Sequence, residues 1–260
     1  MDLGIAGRHA LVCGGSRGLG RAAAEALARE GVNLTLVARD AAALAATAGA
    51  ISAKTGVAVN HIATDLTCPD ARAQLTAAWD APDILVCNPG VRQTPADIHT
   101  LGRDGWDFWM EAHFHAARDL ILAAVPGMCR RGFGRVVNIS VSNIKFPQTG
   151  FAHSHAARAA LAATIAAMVR DLAPHNVVIN SVLPGFFDTE ALRLNLHSHA
   201  ERAGTSYEAI VADRLARTPA GRFADPAECG ALIAFLCSAQ NSFMTGQNIV
   251  NDGGVYQGLF

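Results

Sequence analysis

A surplus of charge of either sign is missing from this chain. Across 260 residues, 21 Lys and Arg stand against 22 Asp and Glu, a formal balance of −1. Without a field of one sign there is no global attraction to nucleic acid or an anionic membrane. Long apolar runs are missing too, and none reaches the ~18 residues that a membrane span needs. Met1-Asp2-Leu3-Gly4 shows no basic stretch followed by an apolar one, so no signal peptide is expected and a cytoplasmic location is. The six cysteines (Cys13, Cys68, Cys87, Cys129, Cys229 and Cys237) form no C-x-x-C pair, which suits buried, reduced thiols. Ten histidines include the pairs His113/His115, His153/His155 and His197/His199. On a helix, i and i+2 point to nearly opposite sides, so these pairs make poor zinc chelators and no metal is expected. What the chain has in quantity is hydrophobic residue, 51% of the total against 17% charged, enough to bury a large core.

Apolar runs of strand length alternate with longer Ala-rich stretches of helical period. Strands are expected at His9–Cys13, Asn33–Ala38, Val57–Ala63, Asp83–Cys87, Arg135–Ile139, Val177–Val182 and Gln247–Val250. Between them the periodicity predicts helices over Gly18–Glu30, Ala41–Lys54, Pro69–Ala78, Arg103–Arg130, Ala152–Ala173 and Pro226–Ser238. Short strands that are apolar along most of their length read as a parallel sheet covered on both faces. Repeated β-α units with right-handed crossovers then give a doubly wound α/β fold. No linker or repeat divides the chain, so one domain over 1–260 is expected. Residues 186–222 differ in texture: polar, His-rich and weakly periodic, the texture of a substrate lid.

The first strand joins the first helix through Gly14-Gly15-Ser16-Arg17-Gly18-Leu19-Gly20. Glycines at 14, 18 and 20 let the backbone turn tightly and approach a ligand, and the helix start offers free N–H groups and a positive dipole end to a pyrophosphate. The spacing differs from G-x-G-x-x-G but the mechanics are shared. After the second strand comes Arg39-Asp40. An acidic residue there grips a ribose 2′-hydroxyl, whereas an arginine suits a 2′-phosphate through charge-assisted bonds. Arg39, with Arg17 inside the turn, favours NADP(H), and Asp40 keeps NAD(H) open.

Further blocks resemble the short-chain dehydrogenase/reductase family almost from end to end. Asp65-Leu66 resembles its adenine-contacting element, and Cys87-Asn88-Pro89-Gly90 its N-N-A-G turn. Gly134-Arg-Val-Val-Asn-Ile-Ser140 resembles the fifth-strand block, and Pro184-Gly185-Phe-Phe-Asp-Thr189 the P-G-x-x-x-T element that meets the nicotinamide. Gly221-Arg222-Phe, Pro226-x-Glu228, Thr245-Gly246 and Asp252-Gly253-Gly254 follow the C-terminal pattern. The resemblance implies a Rossmann-type sheet of about seven parallel strands and a nicotinamide cofactor. It also implies a small carbonyl or alcohol substrate and a homotetramer (or homodimer) paired through the two long helices, whose Ala159, Ala160, Ala163, Ala166 and Ala167 are small and apolar.

The family's catalytic set is Asn, Ser, Tyr and Lys, and this chain departs from it throughout. His113 stands for Asn. Val141, between Ser140 and Ser142, stands for Ser. Ser154-His-Ala-Ala-Arg158 stands for Tyr-x-x-x-Lys. No shift of register restores the pair, because the tyrosines are Tyr207 and Tyr256 and the lysines Lys54 and Lys145. The S-x-x-x-R version, with Lys145 and Pro147 upstream, resembles a divergent branch labelled beta-ketoacyl reductase-like. A serine hydroxyl is far less acidic than a phenol, and arginine stays protonated, so Ser154 and Arg158 do not simply replace Tyr and Lys.

Three substitutes are open. Arg158 can keep the lysine's grip on the nicotinamide ribose. His113, His153 or His155 can supply the proton, unless these rings serve packing alone. Ser140, Ser142 or Ser154 can bind the substrate carbonyl while water carries the proton, and Lys145 is a further acid or substrate anchor. The leading expectation is an NADP(H)-dependent carbonyl/alcohol oxidoreductase with an altered acid–base group. The alternatives are non-redox chemistry such as dehydration or isomerisation on the same fold, and a catalytically silent NADP-binding protein.

Overall fold

A computed structural model describes residues 2–88 and 94–259. Seven parallel strands form one sheet: β1 His9–Cys13, β2 Asn33–Ala38, β3 Val59–Ala63, β4 Ile84–Cys87, β5 Gly134–Ile139, β6 Val177–Pro184 and β7 Asn248–Asn251. Their order is β3-β2-β1-β4-β5-β6-β7. The chain reverses direction across the sheet between β1 and β4, and in such sheets a crevice opens outside the carboxyl ends of the strands at that point.

Helices cover both faces. α1 Gly18–Arg29, α2 Ala41–Thr55 and α9 Pro226–Leu236 pack on one. α3 Pro69–Ala78, α5 Ala116–Arg131 and α6 Ala152–Leu172 pack on the other. β5 shows how the sequence feeds both layers: Val137 and Ile139 enter the first core and Val136 the second, the two-residue alternation of a strand. Local chemistry sets the ends of elements. Asp40 caps α2 by accepting from the Ala43 N–H at 3.0 Å, and Gly56 closes it in the left-handed region at φ 76°.

Two stretches depart from the sequence expectation. The run predicted as a single helix over Arg103–Arg130 is α4 Arg103–Met110, a π-turn over Glu111–His115, and then α5. The supposed lid contains two further helices, α7 Glu190–Ala203 and α8 Tyr207–Ala216, with a small core of Leu196, Ala200 and Ile210. Of the cysteines, Cys13, Cys87, Cys229 and Cys237 are buried, but Cys68 is exposed and Cys129 half-buried. Among the described residues no helix is long and apolar enough to cross a membrane.

Candidate active site

A cleft of about 560 Å³ opens at the carboxyl edge of the sheet. Its lining includes Gly14, Ser16, Arg17, Gly18 and Leu19 from the glycine turn, Arg39 and Asp40 after β2, Asp65 and Leu66 after β3, and Asn88 after β4. Arg158 and Thr189 complete it from α6 and the start of the 186–222 segment. The floor is shaped by backbone. Gly14 lies at φ 65°, a region that glycine enters without penalty, and a Cβ there would come within 2.8 Å of Asn88. Gly20 sits behind the turn rather than in the lining, and a Cβ on it would fall 2.3 Å from the Gly14 carbonyl oxygen. No side chain caps α1, so its first N–H groups remain available to an anion.

The cations of this end are engaged. Arg17 reaches Asp40 at 2.8 Å and Glu190 at 3.4 Å, both exposed pairs of the kind that contributes little and exchanges readily. Asp65 is oriented by Thr67, whose backbone N–H and hydroxyl donate to it at 2.9 and 2.8 Å. Thr189 caps α7, its hydroxyl accepting from the Leu192 N–H at 3.2 Å. Pro184 and Gly185 stand at the end of β6, outside the lining, where a Cβ on Gly185 would meet Asp252 at 2.6 Å. Pro89 and Gly90 lie outside the described residues.

At its other end the cleft is lined by Arg158, and the remaining candidate residues lie outside the lining as buried side chains. Ser154 and Arg158 are one turn apart on α6 and therefore share a face. Ser154 is fully buried and Arg158 is 8% exposed. Among the described residues no carboxylate pairs with Arg158, and its Nε has no hydrogen-bond partner. Burial draws its pKa down to about 10, so it stays a cation at neutral pH.

His113, on the π-turn, is 1% exposed and stacks on Trp109 with ring centroids 5.3 Å apart. Neither of its ring nitrogens has a hydrogen-bond partner among the described residues. Burial, then the positive charge of Arg158, then His153 push its pKa down to about 2. His155 is lowered to about 4 by burial first and by Arg158 second. His153 packs on Trp109 at 4.6 Å and meets the Thr94 carbonyl at 3.2 Å. Ser140, just past β5, is buried with a hydroxyl that has no hydrogen-bond partner among the described residues, and Ser142 is buried in the short turn that follows. Lys145, beyond that turn, lies 6.0 Å from the centroid of the Tyr256 ring.

A family model described as Enoyl-(Acyl carrier protein) reductase matches residues 14–256. The chain belongs to the short-chain dehydrogenase/reductase family of oxidoreductases. Gluconate 5-dehydrogenase of Gluconobacter oxydans is 31% identical over 261 residues, covering 96% of this chain and 95% of the relative. The 3-oxoacyl-(acyl-carrier-protein) reductase FabG of Vibrio cholerae is 31% identical over 259 residues, covering 98% and 99%. Among solved structures, L-sorbose reductase from Gluconobacter frateurii complexed with NADPH and L-sorbose superposes with a TM-score of 0.92 at 28% identity over the whole of both chains.

In this short-chain dehydrogenase/reductase one cleft gathers Gly14, Arg17, Arg39, Asp65, Asn88 and Arg158 of the residues singled out in the sequence, and part of its frame carried no sequence expectation. Trp109 is one helical turn before His113, a spacing that could have flagged the stack. Glu190 and Leu194 join the lining from α7, which the sequence reading left without helices. Arg72 carried no signal, because a lone arginine in a polar helix reads as surface. It is instead 2% exposed and bonded to three segments around the site.

Proposed function

We propose that this protein is an NADP(H)-dependent oxidoreductase that interconverts a carbonyl and an alcohol, with Ser154 and Arg158 in place of a tyrosine–lysine pair. The observation that carries the reading is Arg158: a buried guanidinium in the cleft lining with no carboxylate beside it among the described residues. Such a charge is stabilised only when an anion or a set of acceptors reaches it. The glycine turn, Asp65, Leu66 and Asn88 would hold the adenosine and pyrophosphate, and Arg39 the 2′-phosphate. Proteins of similar fold are described as NADPH or NADP complexes, among them the sorbose reductase and a 3-oxoacyl reductase from Agrobacterium tumefaciens. When bound, the nicotinamide supplies or accepts the hydride.

The chain's own residues handle charge and proton. Arg158 would hold the nicotinamide ribose hydroxyls, and its charge stabilises negative charge as it develops on the nearby carbonyl oxygen, an electrostatic role that needs no proton transfer from it. His113 and His155 are uncharged at neutral pH, and groups so far from the working pH are poor acid–base catalysts. Of the groups weighed, Ser154, with Ser142 and Ser140, is the set we assign to the substrate oxygen, with water carrying the proton; His153, held at the Thr94 carbonyl, and Lys145, near Tyr256, are given no step. The 186–222 segment, with Phe186 and Leu192, covers the substrate. The chain assembles as a homotetramer through α4, α5 and α6, in keeping with Phe108 and Leu122, half exposed on α4 and α5.

The test is reduced-nicotinamide absorbance across a panel of ketones, oxo-acids and alcohols. A turned-over substrate is expected, with Ser154→Ala lowering kcat by about 10²-fold. NADPH binding without absorbance change on any substrate overturns the redox reading, and product without net cofactor turnover selects dehydration or isomerisation. Light scattering that finds a stable monomer overturns the tetramer.

A further inference from the structure

The geometry points to Arg72 as a positioning residue of this site: it clamps Glu111 to Asp119 across the π-turn that carries His113, and ties that turn to the Leu66 wall of the cleft. The inference rests on the reading that the cleft takes a dinucleotide cofactor, and it adds a residue that touches neither cofactor nor substrate.

Arg72 lies in the first turn of α3 with its side chain 3% exposed. Its Nη1 donates to the Leu66 carbonyl at 2.7 Å. Its Nε and Nη2 donate to Asp119 at 3.3 and 2.8 Å, and Nη2 also reaches Glu111 at 2.5 Å. One guanidinium thus bridges the loop after β3, the first residue of the π-turn and the first turn of α5.

The spacing of the two carboxylates explains why a π-turn is needed. In a regular α-helix, residues eight apart are rotated by about 80° and do not share a face. The Ala116 N–H donates to the Glu111 carbonyl, a bond spanning five residues, so one extra residue is taken up in that turn. Eight residues then behave like seven, leaving a rotation of only about 20°. Glu111 and Asp119 fall on one face, where a single guanidinium collects both. Arg118 holds Asp119 from the other side, Nε to Oδ1 at 2.9 Å. π-turns are rare and poorly stable by themselves, so an arrangement in which opposite charges meet only in the π register selects it. His113 sits inside the clamped segment, its ring against Trp109. The same arginine holds the carbonyl of Leu66, a residue of the cofactor cleft.

The test uses Arg72→Lys and Glu111→Gln in the full-length protein. Lysine keeps the charge but cannot fork to three acceptors. Expected for Arg72→Lys is NADPH affinity weakened about tenfold, as loss of a charge-assisted bond predicts, together with shifted His113 ring signals by NMR. Glu111→Gln releases only the π-turn. It should move the His113 signals, speed amide exchange at Ala116 and lower kcat, while NADPH affinity stays within about twofold. Unmoved His113 signals and wild-type affinity in a folded Arg72→Lys overturn the proposal. If Arg72→Lys does not fold, Glu111→Gln and Asp119→Asn decide it by the His113 and Ala116 readouts. Failure of the wild type to bind NADPH would overturn the cofactor reading alone, since those two signals need no cofactor.

Discussion

The two ends of the cleft are made of different materials. At the glycine end, the ligand-facing surface is backbone whose shape depends on missing side chains: Gly14 and Gly20 leave room that a single Cβ would fill. Its charges are exposed and already paired, as Arg17 is with Asp40 and Glu190. At the Arg158 end, what meets and backs the cleft is buried side chain: a guanidinium with no carboxylate beside it among the described residues, two histidines kept neutral by burial, and the Ser140 hydroxyl, which has no partner among the described residues. One end recognises by shape with little electrostatic commitment. The other stores unsatisfied polarity that only a bound ligand can satisfy.

The comparison is broken most severely at the glycine end. In Gly20→Ala the new methyl would sit 2.3 Å from the Gly14 carbonyl oxygen, so backbone has to move. A fluorescence titration should show NADPH affinity reduced by at least about 100-fold, the equivalent of ~3 kcal/mol. Gly49→Ala is the control: its Cβ meets nothing within 4 Å, so affinity should hold and stability rise by about 0.5–1 kcal/mol. Wild-type affinity in Gly20→Ala would remove the shape argument.

At the opposite end, Arg158→Leu should weaken NADPH binding by about 10–100-fold, the range for a lost charge-assisted bond. Its distinguishing feature is stability. Removing Arg72 strands Glu111 without its counter-charge and leaves Asp119 with Arg118 alone, which is destabilising. Removing Arg158 strands no carboxylate among the described residues and relieves a buried cation, so the Tm of Arg158→Leu should hold or rise. A clear fall in Tm would mean that Arg158 serves the folded core rather than a ligand.

A sharper division lies within the glycine end. Arg39→Ala should reduce the preference for NADPH over NADH by about tenfold, as loss of one charged contact implies. Arg17→Ala should do less, because Arg17 is shared with two carboxylates. Equal discrimination by wild type and Arg39→Ala would assign the 2′-phosphate to other residues.

How far each end was legible in the sequence follows from the same contrast. β1, β2 and α3 stand at the bounds the sequence predicts, since apolar runs, glycines and a Pro at the helix start act locally. The glycine turn is legible for that reason. α7 and α8 were missed because their apolar positions serve only a three-residue core. The signal available was at their starts, where Thr189 and Ser206 accept backbone N–H groups three residues on. The π-turn had no local signal: Glu111 through Ala116 read as ordinary helix, and what distinguishes them is Arg72, some forty residues earlier in another helix. Ser154 and Arg158 were visible as residues, but the missing counter-charge at Arg158 is a property of packing.

The smallest expected effect tests whether the Arg158 end really keeps its histidines neutral. Burial lowers His113 to about 2 and His155 to about 4, against about 6.5 in an unfolded chain. The unfolded state therefore takes up protons first as pH falls. Stability from these sites is complete above pH ~6.5 and is lost below it, by at most about 1.4 kcal/mol per pH unit for each histidine. His155 stops contributing to the slope near its folded value, while His113 continues below it. Asp119 and Glu228, whose pKa values are lowered, act only below the ordinary carboxylate range, so a window from pH 6.5 to 4.5 isolates the histidines. His9, His153 and His199, also lowered by burial, form a background common to wild type and variant. Measured as Tm against pH, His113→Asn should lose less stability than wild type across that window, by a few degrees per pH unit at about 2–4 °C per kcal/mol. Parallel curves would mean that His113 takes up its proton in the folded state as readily as in the unfolded one. The neutral-histidine account of the Arg158 end would then fall, and with it the assignment of proton transfer to hydroxyls and water.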